Sequence, residues 1–310
     1  RLARKYGPMT VKTLTANIAR EARHRRRPRP VPPNIELTDF DPFDPATAAD
    51  PEPHYRELLA GGPVHHNPRR AIFILSRYAD VRAAARADHS LSSAEGVTYG
   101  RVRLPVLLTT DAPAHTRMRK QALPAFTRGA LESWQPMVDH LARALVADLM
   151  QSSRGDVVST VAVPMPMGMT AHILGVADDD QAAFRRWSNQ TVRVADINIS
   201  MSGRREVMPT LMGFRQMHNF FVDKLSRGQL LGPDTVLGRL TRNSDGQLSF
   251  EEMFFIAVLL LLAGNETTTN LISTLFLTLA EHPDQPELLR QRPELIGSAI
   301  EEQLRFASPI

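Results

Sequence analysis

The chain has 310 residues, 43% apolar and 23% charged, a composition of ordinary globular proteins that rules out a fibrous or wholly disordered one. It has no cysteine, which excludes a disulfide scaffold, a zinc–thiolate site and a cysteine nucleophile within these residues. The formal net charge of +4 hides a segregation: ten of the 37 Lys and Arg residues but one of the 33 acids lie in the first 30 positions, leaving 27 bases against 32 acids in the rest.

The basic segment contains His24-Arg25-Arg26-Arg27-Pro28-Arg29-Pro30. It reads as an arm for a membrane surface or a nucleic acid, as a transit peptide, or as a solvated leader, the last being the plainest. No aromatics interleave with these arginines, which weighs against nucleic acid. Residues 28–33 are rich in proline and read as an extended linker, so 1–33 is taken as a leader and 34–310 as one domain. Asp41-Pro42-Phe43-Asp44-Pro45 is turn chemistry, 54–59 a short helix, 71–75 a strand, and 78–87 a helix with Val81, Ala84 and Ala85 on one face. Residues 90–110 have no clean period and read as a long loop, which in a compact domain points to function.

Helices then dominate: 115–122, 131–150 with Trp134, Val138, Leu141 and Leu145 at helical spacing, 165–174, and 181–189. Met165, Met167 and Met169 alternate within 165–174 and read as core filling rather than a soft-metal site. Ser244-Asp245-Gly246 is a turn, and Ser249 with Glu252 forms a capping box that opens a long helix over 254–279. Pro283 ends it, and Pro293 opens a last helix through Arg305. The longest apolar stretch, 254–263, has ten residues where a bilayer span needs about 20, so no transmembrane anchor and a cytoplasmic location are expected. The fold class is mainly α with a small β portion, in a single domain. The chain stops at Ile310 within what reads as a helix-to-strand connection, so that domain is expected to be incomplete at its C-terminus.

The stretch that carries chemistry is Leu259 to Asn270, LLLLAGNETTTN. An apolar helix abruptly meets Gly264, Asn265, Glu266 and three threonines. Mid-helix glycine costs about 1 kcal/mol relative to alanine, threonine can bond back one turn and bend a helix, and a buried carboxylate is expensive. Three unfavourable choices together suggest a site in which the helix is interrupted at Gly264, although a kinked core helix with satisfied threonines explains these residues equally well. Leu259, Ala263 and Thr267 lie four apart and share a face, an apolar wall with a polar step. His115 and Arg119 stand at i, i+4 on a short helix and could clamp an anionic group, or be ordinary surface charges. Glu302 and Arg305 stand at i, i+3, with Leu304 and Phe306 suggesting partial burial.

Taken in order, these motifs resemble the cytochrome P450 family from about Asp39 onward. Ala263-Gly264-Asn265-Glu266-Thr267-Thr268 resembles its (A/G)GxxTT helix motif. His115 and Arg119 match HxxxR, and Glu302 and Arg305 match ExxR followed by Phe306-Ala307-Ser308-Pro309. The resemblance implies a haem-dependent monooxygenase acting on a small apolar substrate, with haem b (iron protoporphyrin IX) as cofactor. It implies electrons from a ferredoxin and its reductase, docked on a basic face that includes Arg117, Lys120 and Arg128. It assigns His115 and Arg119 to a haem propionate and Ala263 and Gly264 to the distal face of the haem. Thr267 and Glu266 take oxygen binding and proton delivery, and Glu302 and Arg305 become structural. Leu259, Leu262, Thr98 and the helices near 192–208 would line the substrate pocket. The family's thiolate ligand is not among these residues, so the chain by itself is expected to be inactive and to supply no metal ligand. The alternatives are a ligand-less auxiliary subunit of a glycosyltransferase and a non-functional truncated product.

Overall fold

The computed structural model describes residues 30–96, 106–151, 154–192, 204–243 and 248–309. Thr98, the turn at 244–246 and residues 1–29 of the leader lie outside them, as do 193–203 of the expected pocket helices. The first described elements are small. Strand β1 (Glu36–Leu37) runs parallel to β2 (His65–Asn67), which pairs antiparallel with β3 (Ile72–Ile74). Helices α1 (Pro45–Ala49) and α2 (Glu52–Ala60) intervene, and α3 (Tyr78–Ala84) follows. The expected turn at 41–45 is also an ion-pair centre. Asp41, 2% exposed, accepts hydrogen bonds from Arg69 (2.9 Å) and Arg70 (2.8 Å), while Asp44 caps α1. Helix α3 ends three residues before the sequence pattern predicts and buries none of its residues, so the face expected from Val81, Ala84 and Ala85 is not a core face here.

The helical body comprises α4 (Ala114–Ala122), α5 (Arg128–Met150), α6 (Pro164–Ile173), α7 (Asp178–Val192), α8 (Arg204–Ser226), α9 (Val236–Asn243), α10 (Phe250–Glu281), α11 (Asp284–Gln291) and α12 (Ile296–Phe306). Short 3-10 turns at Leu107–Thr109, Leu123–Phe126 and Pro293–Leu295 and a π turn at Val158–Ala162 connect or precede them. Gly175 ends α6 with φ 77°, a left-handed conformation suited to glycine, and Val176 N–H donates back to Ala171 O across it. Gly238 on α9 allows the closest backbone approach, since a Cβ there would sit 2.0 Å from Gly232 O. Met167 is buried in the core and Met169 packs on it, as expected of core filling.

Helix α10 is the central element. Its N-terminus is capped reciprocally: Ser249 Oγ accepts from the Glu252 amide, and the Glu252 carboxylate accepts from the Ser249 amide (2.8 Å). Phe254, Phe255, Ile256, Ala257, Val258 and Leu261 are all buried, in one core cluster with residues of α6, α7, α8 and α9. Phe254 alone meets Phe221, Phe255 and Phe250 rings at 5.7, 5.2 and 6.5 Å. Aromatic contacts of this kind add to area burial, itself worth about 1.5–3 kcal/mol per large side chain. His218 on α8 sits edge-on to Phe250 and Phe254 at 5.7 and 5.1 Å, 4% exposed.

Two expectations need correction. Helix α10 is unbroken over 32 residues, so Gly264 does not interrupt it. A single glycine keeps the backbone N–H whose loss lets proline break a helix, so the hydrogen-bond ladder continues through it. Its length and mean hydropathy also reach those of a membrane span, contrary to the ten-residue estimate, because the pattern continues past the polar cluster. Here the helix is the core helix of the body.

Ser249→Ala should lower stability by about 1 kcal/mol, read as a drop in thermal midpoint. Burial pushes the His218 pKa below its usual 6.5, against a weaker opposing hydrogen bond from the Asn219 side chain. The folded chain therefore binds fewer protons than the unfolded one just below pH 6.5. Stability should be full above that pH and fall as the pH drops below it. Denaturant titrations across that window should show the slope reduced in His218→Leu.

Candidate active site

One turn past the buried segment, α10 changes character. Leu260, Ala263 and Gly264 form one wall of an apolar cavity of about 370 Å³. Helix α5 contributes Leu131, Trp134 and Val138, helix α6 contributes Met169, Thr170 and Ile173, and Phe126 closes one side. Gly264 keeps its wall low: an added Cβ would meet only Thr170 Oγ1, at 3.6 Å, an ordinary contact. Trp134 is pinned by a hydrogen bond from its indole N–H to Asp234 O (2.9 Å) and by Arg239 over its ring at 5.2 Å.

The polar residues that follow divide by face. Thr267 is half-buried and donates to Ala263 O (2.8 Å), the one-turn back-bond its position predicts. Glu266 is exposed, so the cost of a buried carboxylate is not incurred. Asn265 faces the opposite way, 7% exposed, with its amide 3.8 Å from Met167 Sδ and its Oδ1 without a partner among the described residues. Thr269 Oγ1 donates to Ala162 O in the π turn (3.1 Å), tying the helix to the element before α6.

The structure brings Ala263 and Gly264 together on the cavity, with Thr267 one turn on. Leu259 and Leu262 are half-buried against the core, and Leu260 lines the cavity between them because neighbouring helical residues point about 100° apart. His115 is half-buried and Arg119 exposed on α4, which runs directly into the turn that places Phe126 on the cavity. Neither side chain hydrogen-bonds or pairs with any described residue, whereas Arg117 on the same helix bonds Glu252 at the cap of α10. Glu302 and Arg305 form a bidentate pair (2.8 and 2.6 Å), and the guanidinium holds the Glu302 carboxyl below its usual range. The pair is exposed, with side-chain accessibilities of 60% and 71%, which corrects the expected partial burial: Gln303 takes the inward position of α12 instead. The expected basic face is also reduced, since Arg117 pairs with Glu252 and Arg128 with Glu132.

The cavity's α5 and α6 walls were not singled out in the sequence as site residues. Their signal, Trp134 and Val138 at i, i+4, is the same as that of a core face. A flat apolar macrocycle carrying acidic groups fits this donor set: apolar walls, an opening at Gly264, and two unpaired donors on the adjoining helix.

No family model matches the chain. Over 308 residues it is 56% identical to the β-dihydromenaquinone-9 ω-hydroxylase of Mycobacterium tuberculosis, a match covering 99% of this chain and 63% of that protein. It is 30% identical over 284 residues to cytochrome P450 130 of the same organism, covering 85% of this chain and 68% of that protein. Among solved structures it is similar to CYP109E1 from Bacillus megaterium in complex with testosterone, with a TM-score of 0.70 at 29% identity, covering 87% of this chain and 68% of that one. The chain thus spans 63% of the length of that hydroxylase. Sequence identity, shared length and a common fold agree: the chain belongs to the cytochrome P450 family, whose cofactor is haem.

Proposed function

We propose that the protein is a haem-dependent monooxygenase that inserts one oxygen atom from O2 into an apolar organic substrate, with two electrons arriving from a redox partner such as a ferredoxin and its reductase. The second oxygen atom leaves as water, which consumes two protons. The observation that carries this reading is the α10 wall, in which Ala263 and Gly264 open a cavity and Thr267 places a bonded hydroxyl one turn on. The 56% identity to a hydroxylase of a menaquinone tail supports a substrate of the same class, a long polyisoprenoid quinone. A cytoplasmic location is part of the same proposal.

Haem supplies the centre at which dioxygen is bound and reduced. His115 and Arg119 would hold its propionates: neither pairs with a described residue, and charge-assisted hydrogen bonds to carboxylates are roughly twice as strong as neutral ones. Ala263 and Gly264 would let the macrocycle approach the helix closely, because neither carries a side chain beyond one methyl group. Thr267 Oγ1 donates its hydrogen bond to Ala263 O, so its lone pairs are free to accept one from a protonated group beside it. Glu266, exposed one residue earlier, takes protons from solvent and passes them along that face. The apolar walls exclude water from the space between. Leu259, Leu262 and Thr98 belong to the substrate side in this proposal. Of the three expected partner-facing cations, Lys120 is the one that makes no ion pair among the described residues.

The full-length protein, reduced, should give the difference spectrum of a thiolate-ligated haem on binding carbon monoxide; a spectrum without that band removes the proposal. Thr267→Ala should leave folding intact but consume O2 and reductant with at least tenfold less product per electron pair, measured as coupling. His115→Ala combined with Arg119→Ala should lower haem content, read by pyridine haemochrome, without moving the far-ultraviolet spectrum of the helices.

A further inference from the structure

Trp134 is held by more than packing. It is the largest side chain lining the cavity and is 6% exposed, beside Phe126, whose ring meets it edge-on at 6.4 Å and 73°. Its indole N–H donates to Asp234 O (2.9 Å), which fixes the edge of the ring. The Arg239 guanidinium lies 5.2 Å from the ring centroid. Arg239 stands on α9 and is not among the residues lining the cavity, so it covers the ring from outside. Its side chain is 14% exposed. Its Nη2 donates to Ser133 Oγ, one residue before Trp134, at 2.8 Å and to Asp234 Oδ1 at 3.2 Å. A cation over an indole face is attracted by the ring quadrupole, more strongly where water is excluded. The planar guanidinium can stack on the ring and hydrogen-bond outward in its own plane at once.

The carbonyl at the edge of the ring is fixed in turn. Asp234 belongs to the connection between α8 and α9. Thr235 Oγ1 donates to Leu230 O (2.7 Å) and accepts from the Gly238 amide (3.0 Å), which closes that connection onto the first turn of α9. Gly238 lies against Gly232 O, where a Cβ has no room. A tryptophan with only a structural part needs its volume packed and its N–H satisfied, and the core and Asp234 O already provide both. The cation adds a third restraint, on the tilt of the ring. Tilt decides how far the opposite face of the indole stands into the cavity.

We infer that Arg239 is a positioning residue that acts through Trp134 to set the width of the cavity, and so favours straight apolar chains over bulky ones. The inference rests on the proposed use of this cavity for an apolar substrate, and it names the wall that selects. With the guanidinium removed, the space behind the ring lets the indole tilt outward and the wall retreats. In an apolar pocket, room for one more methylene changes binding by about tenfold or more.

The test is isothermal titration calorimetry of the full-length holoenzyme with decanol and with adamantyl methanol, a straight and a bulky alcohol of similar carbon content. Ultraviolet resonance Raman spectra accompany it, in which the bands lost in Trp134→Phe report the torsion of that indole. Arg239→Ala should raise the ratio of adamantyl methanol affinity to decanol affinity about tenfold and shift the torsion band. Arg239→Lys, which keeps a cation over the ring, should restore the parent's ratio and band. Should Arg239→Ala fail to fold, Arg239→Gln, which keeps a hydrogen-bond donor without the charge, takes its place with the same expected result. A lower thermal midpoint with ratio and band both unmoved would leave Arg239 a structural role only and overturn the inference. So would an Arg239→Lys protein indistinguishable from Arg239→Ala. Binding of both alcohols by the parent with an unmoved ratio in the variants removes the role of Arg239 and keeps the cavity as substrate space; binding of neither alcohol by the parent removes both.

Discussion

The burial of the first half of α10 is the constraint on which the rest depends. Phe254 to Val258 and Leu261 are buried in the main core cluster with Phe220 and Phe221 of α8 and Leu237 and Leu240 of α9, and the capping box fixes where the helix begins. With the start and the axis both set, each later residue has a determined height and direction. Ala263 and Gly264 therefore arrive at the cavity together, and Thr267 follows one turn later on the same side. The same rigidity explains why Gly264 leaves the helix continuous. Its cost of about 1 kcal/mol is small beside the burial of Phe254, Phe255, Ile256, Val258 and Leu261.

Charge placement divides the described cations into two groups. Most are spoken for: Arg69 and Arg70 by buried Asp41, Arg117 by Glu252, Lys224 by Asp180, Arg305 by Glu302. At Asp41, burial opposes ionisation, and the hydrogen bonds from Arg70 and Arg69 outweigh it, so the carboxyl titrates below its usual range. His115 and Arg119 stand outside this bookkeeping. In the proposed function these two donors meet the acidic groups of the cofactor, on a helix whose neighbouring Arg117 is tied to Glu252 at the cap of α10.

Much of this was legible in the residues. The capping box at Ser249 and Glu252, the end of α6 near Leu174 and the back-bond of Thr267 follow from local rules that operate within one turn, and local rules can be read from local sequence. The two-residue β1, the three-residue β2 and helix α11 were not legible. Strands this short carry no period, and β2 is buried along its whole length as His65, His66 and Asn67, a polar run that no hydropathy pattern marks as interior. The shortened α3 shows the converse, since its apolar spacing is present and none of its residues is buried.

The sequence by itself determined a mainly helical chain, the family motifs and their order, and the concentration of positive charge in one segment, because all three depend only on residue identity and spacing. Only the tertiary structure decided which faces of those motifs point inward. It turned Asn265 into the core and Glu266 out to solvent, left the Glu302–Arg305 pair exposed, and closed the cavity with walls from α5 and α6. Those outcomes depend on which helix lies against which, and contacts between residues about a hundred positions apart leave no trace in the spacing of either partner.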